Sequence, residues 1–226
     1  MPTKTELPNP GGSAPGLTFE CRFSREGIDP FDAIEWETRR AAIKDSKGGT
    51  VFEQNDVEAP KSWSQHATDI VADKYFRGEH GTPERESSIR QMIGRVVDTI
   101  SRWAKDGRYF ASDNDHAVFT AELKAILVNQ RGAFNSPVWF NCGFEPAPQC
   151  SACFINSVDD SMESILGLAR TEGMLFKYGS GTGSNLSPIP GSRETPPRGG
   201  TPSRPPSLFK GDDDLARGHQ TGGGGR

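Results

Sequence analysis

Cys150 and Cys153 are separated by two residues in Pro148-Gln149-Cys150-Ser151-Ala152-Cys153-Phe154-Ile155-Asn156. Thiols at this spacing support three chemistries: a zinc knuckle, a thioredoxin-like dithiol, or one redox cysteine with an incidental neighbour. A zinc knuckle needs a second pair of ligands. The four histidines, His66, His80, His116 and His219, are scattered singly, and no second CxxC occurs. No metal site is therefore expected. A thioredoxin-like pair belongs at the opening of a helix, whereas the apolar Phe154-Ile155 that follows here reads as a strand. A single redox cysteine, Cys153, on a strand is the reading these residues favour. Taken alone, Cys153 also fits a buried core cysteine.

A second chemical candidate is Gly179-Ser180-Gly181-Thr182-Gly183. It follows a helical segment, so it is not the strand-glycine-helix order of a dinucleotide site, and no Gly-Lys-Ser/Thr completes a Walker loop. By itself it reads as a helix C-cap and turn. Ser136, before Pro137, reads alone as a turn residue. Asp160 reads as a helix cap and Lys177 as a solvated lysine.

The elements that must hold these residues follow from pattern. Residues 1–16, rich in Pro and Gly, are expected to be disordered. Leu17–Phe23 alternates apolar and polar residues as a half-buried strand does, and so do Ile34–Arg39 and Thr50–Gln54. Lys44–Gly49 between the last two has the composition of a hairpin turn. From Ser64 the period becomes helical, with Ala67, Ile70, Val71 and Tyr75 on one face and Ser62 or Ser64 as cap. Pro83 is expected in the first turn of a second helix. Its stripe runs Ile89, Met92, Ile93, Val96, Val97, Ile100 and Trp103. A third helix spans 113–130, with Val118, Phe119, Leu123, Ile126 and Leu127 facing inward. A short apolar run follows the turn at Asn135. Residues 153–158 form a strand. Residues 161–178 form a helix capped by Asp160 or Ser161, with Met162, Ile165, Leu166, Ala169, Met174 and Leu175 mostly on one side. Residues 190–226 are dense in Pro, Gly and Arg and read as a disordered tail.

The bulk numbers narrow the class. The chain has 226 residues, 33% of them hydrophobic and 25% charged. That length allows one or two domains. A formal net charge of -4 argues against a general nucleic-acid binder. No apolar run reaches the ~20 residues that span a bilayer, and the N-terminus lacks the apolar core of a signal peptide. A cytoplasmic protein without a membrane partner is expected, and the four cysteines are expected to be free of structural disulfides.

From Asp29 to Ile189 the ordered blocks resemble the class II ribonucleotide reductases, the adenosylcobalamin-dependent enzymes. The resemblance is carried by Asp29-Pro30-Phe31-Asp32, Glu35-Trp36-Glu37, Pro60-Lys61-Ser62-Trp63-Ser64-Gln65, Lys74-Tyr75-Phe76-Arg77-Gly78, Gly81-Thr82-Pro83-Glu84-Arg85-Glu86 and Asn135-Ser136-Pro137-Val138-Trp139-Phe140-Asn141. The sharpest block is Pro148 to Ile165, which contains Cys153. The resemblance implies an α+β N-terminal domain at 17–131, a small antiparallel sheet with helices. It implies at 132–189 the first strand and helix units of an incomplete α/β ten-stranded reductase barrel. A disordered, divergent tail covers 190–226.

The resemblance also implies chemistry. A cobalamin-derived radical generates a thiyl, the thiyl removes the ribose 3′ hydrogen, the 2′ oxygen leaves as water, and a cysteine pair supplies two electrons. Cys153 corresponds to one member of that pair, with its partner on a distant strand. Cys150 is its neighbour, and a resolving role for Cys150 stays open. Ser136, Ser151, Ala152 and Gly181 match substrate-binding positions, and Asp160 and Lys177 match positions that contact an effector nucleotide. The implied cofactor is adenosylcobalamin, most of whose site would lie outside this chain. The implied partners are a ribonucleotide, an effector nucleotide, a dithiol reductant such as thioredoxin or glutaredoxin, and a second copy or the remainder of the barrel.

After Ile189 the pattern departs: an arginine is usual next, and here Pro190 stands instead, followed by Arg198-Gly199-Gly200-Thr201-Pro202-Ser203-Arg204-Pro205. Proline fixes φ and cannot pair with a phosphate. The expectation is a truncated N-terminal portion of a reductase making deoxyribonucleotides, inactive alone. Two other readings are a non-catalytic nucleotide-binding module of the same ancestry, and a small helical interaction domain with an unstructured tail.

Overall fold

The computed structural model describes residues 16–177 and 180–189. The chain divides into two compact units, 1–149 and 150–226. The tails expected at 1–16 and 190–226 lie outside the described residues, save Gly16.

In the first unit, strand β1 (Trp36–Lys44) pairs antiparallel with β2 (Thr50–Pro60), in register from Trp36 opposite Pro60 to Lys44 opposite Thr50. The hairpin forms where its composition predicts. Asp45 accepts the N–H groups of Lys47 and Gly49 at 2.8 Å each. Gly48 supplies the left-handed φ of +85° that the turn needs. Both strands differ from the short segments that alternation marks. β1 starts two residues later than Ile34, and β2 continues to Pro60. An extra residue in β2 opposite Arg39–Ala41 bulges the ladder, with Asp56 at φ +58°. That bulge breaks the alternation after Gln54 and hides the rest of the strand.

Helix α1 (Gln65–Lys74) is capped by Ser64, whose hydroxyl accepts the Ala67 N–H at 3.1 Å. Helix α2 (Ile89–Asp106) opens with a capping box built from Ser88 and Gln91. Pro83 does not open it. Pro83 sits in a turn closed by Thr82 N–H to Glu79 O and Arg85 N–H to Thr82 O, and the reciprocal Ser88–Gln91 bonds set the start at Ile89. The expected stripe is the core of the unit: Ile89, Met92, Ile93, Val96 and Val97 are buried, as are Phe76, Val57 and Val128. Only Trp103, at the stripe's end, is exposed.

Helix α3 (Asp113–Val128) begins at Ser112 and ends two residues before the expected boundary. Gln130 takes the left-handed conformation there, and Arg131 N–H reaches back to Ile126 O at 2.9 Å. Its inward face also differs. Leu127 is buried, but Val118, Phe119, Leu123 and Ile126 are not fully so, and Asp115 and Glu122 are buried instead.

Those two carboxylates explain the largest correction. Leu17–Phe23 alternates like a strand but forms no ladder; only Leu17 bridges to Phe110. Leu17 N–H donates to Tyr109 O at 2.7 Å, but further along the donors go to side chains. Phe19 N–H donates to Asp115 at 2.9 Å, and the N–H groups of Arg22, Phe23 and Ser24 converge on Glu122 at 3.0, 3.1 and 2.8 Å. Ser24 Oγ adds a further bond at 2.5 Å. Burial raises the Glu122 pKa, but the bonds from Ser24, Arg22 and Phe23 outweigh it and hold the carboxyl below its ordinary 4.5. A group with a depressed folded pKa stabilises above its unfolded value and loses that contribution as pH falls through the folded one. The strap 17–24 is therefore expected to hold at neutral pH and to loosen as pH falls below 4.5. Hydrogen exchange of the Arg22–Ser24 amides checks this: acid-enhanced opening in the parent and pH-independent opening in Glu122→Gln is the expected result.

Helix α4 (Ser136–Asn141) is a single short helix where the apolar run stands, burying Pro137, Val138 and Trp139. Gly143 after it has φ +77°, and a Cβ there would lie 2.6 Å from Arg95 Cγ. Only glycine lets this turn close on α2.

In the second unit, β3 (Cys153–Ser157) and β4 (Gly181–Asn185) pair in parallel, joined by α5 (Met162–Lys177). Parallel neighbours need such a crossover. β4 overturns the reading of Gly179–Gly183 as only a cap and turn. Residues 181–183 are strand, and Gly181 N–H donates to Ala152 O at 2.7 Å. The Ser161 hydroxyl accepts the Ser164 N–H at 3.2 Å in the first turn of α5. The expected apolar side of α5 is not a covered face: Met162, Leu166 and Met174 are exposed, and Glu172 is the buried residue of the helix. Among the described residues these two strands form a sheet by themselves, and no barrel closes.

Candidate functional site

Strand alternation decides what stands beside Cys153. Cys153, Ile155 and Ser157 are exposed and Phe154 and Asn156 are half-buried. In β4, Gly181, Gly183 and Asn185 are exposed and Thr182 and Ser184 half-buried. Side chains two apart share a face. One face therefore carries Cys153, Ile155 and Ser157 next to Gly181, Gly183 and Asn185. The other carries Phe154, Asn156, Thr182 and Ser184. Asn156 Nδ2 donates to Thr182 Oγ1 at 2.6 Å, and Ser184 Oγ donates to the buried Glu172 of α5 at 2.5 Å. The bond to Glu172 puts α5 on the second face and leaves the first uncovered among the described residues of this unit.

The register sets the close geometry. Cys153 is opposite Gly181 and Ile155 opposite Gly183. A Cβ built on Gly181 would lie 3.6 Å from Cys153 Sγ, and one on Gly183 would lie 3.4 Å from Ile155 Cδ1. The two glycines thus leave a bare ledge beside an exposed thiol. Ile155, 85% exposed, is an apolar wall on the same ledge. Cys153 is exposed and unbridged, and Cys150 is half-buried. At the head of the ledge the buried Ser180 donates its hydroxyl to Ser151 O at 3.3 Å. The arrangement offers a thiol, backbone carbonyls and amides, and room for a flat or ring-shaped molecule to approach within contact distance.

The predicted residues fall into three groups. Ser151, Ala152, Cys153 and Gly181 come together at the start of the strand pair. Ser136 belongs to the first unit, in the first turn of α4, with its hydroxyl 3.1 Å from Tyr75 Oη. Tyr75 in turn stacks on Phe140 at 5.3 Å. Asp160 and Lys177 are both exposed but are not brought together. They stand at opposite ends of α5, whose 16 residues make a helix about 24 Å long at ~1.5 Å per residue. Sequence reasoning misses Gly183, Ile155 and Ser180. The alternation Gly-Thr-Gly-Ser-Asn, with its small polar residues on one side, is the available sign of a strand.

A separate cavity of about 500 Å³ opens in the first unit, lined by Trp63, Ile70, Met92, Leu127 and Trp139, with His66 and Gln130 exposed beside them. Among the described residues no group of three or more His, Cys, Asp or Glu could hold a metal ion. No described helix is long and apolar enough to cross a membrane. A corrin ring carries many amide arms that need hydrogen-bond partners, and this apolar cavity does not fit one.

Comparison with known proteins gives two family matches. Residues 37–130 match the class II vitamin B12-dependent ribonucleotide reductase model, and residues 151–226 match the ribonucleotide reductase barrel domain. A vitamin B12-dependent ribonucleotide reductase of Streptomyces avermitilis is 47% identical over 214 residues, covering 94% of this chain and 22% of the relative. One from Rhodopirellula baltica is 44% identical over 242 residues, covering 94% and 23%. One from Agrobacterium fabrum is 31% identical over 273 residues, covering 92% and 21%. The chain spans about a fifth of the length of these relatives.

Proposed function

The chain belongs to the class II, vitamin B12-dependent ribonucleotide reductases, and from that premise we propose that its β3–α5–β4 unit is the opening of the reductase barrel. In this reading residues 17–131 are the N-terminal domain and 132–189 begin a ten-stranded barrel. The activity is reduction of a ribonucleoside di- or triphosphate to the deoxyribonucleotide. The observation that carries it is the exposed Cys153 thiol on a glycine ledge opposite the helix-covered face. A ribose lying on Gly181 and Gly183 would meet Cys153 at contact distance. Cys153 gives up one sulfur-bound hydrogen and forms a disulfide with a second cysteine, so the pair delivers two electrons to the sugar. An external dithiol of the thioredoxin or glutaredoxin type then restores both thiols by exchange.

Ser136, Ser151 and Ala152 serve substrate binding in this proposal. Hydroxyls and backbone amides are the groups that hold phosphate oxygens where no Walker loop exists. Asp160 and Lys177 serve the effector nucleotide: a carboxylate accepts from ribose hydroxyls, and an ammonium pairs with phosphate. Their separation along α5 means that one nucleotide touching both needs two copies with α5 antiparallel. The exposed Met162, Leu166 and Met174 would be buried in such a homodimer. The cofactor, adenosylcobalamin by family, supplies the initiating radical when bound. The names of the relatives, each a vitamin B12-dependent ribonucleotide reductase, support that assignment.

The second reducing thiol and the radical cysteine are not provided by the β3–β4 ledge. The isolated chain is therefore expected to make no deoxyribonucleotide with adenosylcobalamin and a dithiol. A chimera joining residues 1–189 to the remaining barrel of the Streptomyces avermitilis relative is expected to make it. Product from the isolated chain, or none from a folded chimera, contradicts the proposal.

A further inference from the structure

We propose that Tyr75 is a positioning residue for the substrate's phosphate: its phenol holds the Ser136 hydroxyl so that Ser136 presents its own proton to a phosphate oxygen. This deepens the assignment of Ser136 to substrate binding and rests on it. Three observations support it. Tyr75 Oη lies 3.1 Å from Ser136 Oγ, and among the described residues neither hydroxyl has a second hydrogen-bond partner. The Tyr75 ring stacks on Phe140, with centroids 5.3 Å apart and planes at 18°. Phe140 stands four residues after Ser136 in α4, so one face of that helix meets both the ring and the hydroxyl of the same tyrosine. The backbone under the ring is fixed as well. Tyr75 caps the C-terminus of α1, its N–H donates to Val71 O at 2.9 Å, and Phe76 after it is buried.

The proton count decides what Ser136 can do. A hydroxyl has one hydrogen to donate and lone pairs to accept with, and a phenol is a stronger donor than an aliphatic hydroxyl. Tyr75 therefore donates and Ser136 accepts. The Ser136 hydrogen is left for an acceptor other than Tyr75, and a phosphate oxygen carries the charge that makes such a bond strong. Both side chains are half-buried, which limits competition from water without closing Ser136 off. With the phenol removed, the serine hydroxyl turns to nearby backbone groups, as serines do where no other partner holds them. The ring stack is enough to dock α4 on α1, and the hydroxyl pair adds direction to it.

The test uses the chimera of residues 1–189 with the Streptomyces avermitilis barrel, and the ribonucleoside di- or triphosphate that it reduces. Tyr75→Phe keeps the ring stack and removes only the hydroxyl. It is expected to raise KM for the nucleotide about 5-fold, the scale of one neutral hydrogen bond, and to leave kcat within about 2-fold. Ser136→Ala is expected to raise KM about 10-fold or more, because it removes a bond to a charged group. The double variant is expected to match Ser136→Ala alone, since Tyr75 acts through Ser136. Circular dichroism checks that each variant folds as the parent does. A KM unmoved by Tyr75→Phe but raised by Ser136→Ala overturns the proposal and leaves the Ser136 assignment standing. So do two effects that multiply in the double variant, the mark of a hydroxyl that acts only on packing. A KM unmoved by Ser136→Ala removes the Ser136 assignment and the proposal with it, and a folded chimera without activity removes both.

Discussion

Cys153→Ser in the chimera is expected to abolish steady-state reduction of a ribonucleotide by a dithiol, with a loss of about 1000-fold or more, the scale seen when a residue acting as part of a unit is removed. Serine keeps nearly the volume of cysteine, so the ledge formed with Gly181 and Gly183 keeps its shape. Its hydroxyl cannot form a disulfide, so the two electrons have no route out. Nucleotide binding should therefore survive while turnover does not. Binding measured by equilibrium dialysis and turnover measured by product chromatography separate the two. A variant that loses both in parallel would make Cys153 a packing residue, as a strand cysteine can be.

The second large effect is on stability. Glu86→Ala is expected to cost about 3–5 kcal/mol, because it leaves the mostly buried Arg95 guanidinium without its counter-charge. Arg95 Nε meets Glu86 at 2.8 Å, with the two side chains 13% and 12% exposed. Glu86 also accepts the Arg77 N–H at 2.8 Å, and Arg95 donates to Cys142 O at 2.6 Å and Trp139 O at 3.2 Å. One ion pair thus joins the segment before α2, α2 itself and the end of α4. Thermal unfolding of the chain should shift down by roughly 10 °C. Glu53→Ala is the control: its partner Arg40 is exposed, and exposed pairs contribute little. Equal shifts for the two variants would contradict the account.

How much is legible in the sequence depends on whether a residue's partner is local. Ser64 caps the helix that follows within three residues, and α1 starts where that cap is; Ser88 and Ser112 cap α2 and α3 just as locally, but the reading of Pro83 as the opening of α2 passes Ser88 over. The β1–β2 hairpin is visible because Asp45 and Gly48 shape its turn from within. Leu17–Phe23 misleads because the N–H groups of Phe19, Arg22 and Phe23 are satisfied by Asp115 and Glu122, about 100 residues away. Alternation cannot distinguish a strand from a strap held by side chains. β4 is hidden for a different reason. Glycines that bare the ledge beside Cys153 also erase the apolar pattern of a strand, so the feature proposed for function is the one that obscures the fold. α5 shows the opposite case: Met162, Leu166 and Met174 are patterned for burial and stay exposed in this unit. Cys153 stands out by its sequence context, whereas the ledge needs the β3–β4 register, which no local pattern contains.

The central claim is that Cys153 supplies reducing electrons to a nucleotide lying on that ledge. The direct measurement is to run the chimera with a ribonucleotide and adenosylcobalamin but no dithiol. Deoxyribonucleotide and alkylatable Cys153 are then quantified in the same sample. The account predicts that Cys153 disappears into a disulfide in proportion to product, one for one. Product formed while Cys153 stays fully alkylatable would contradict it.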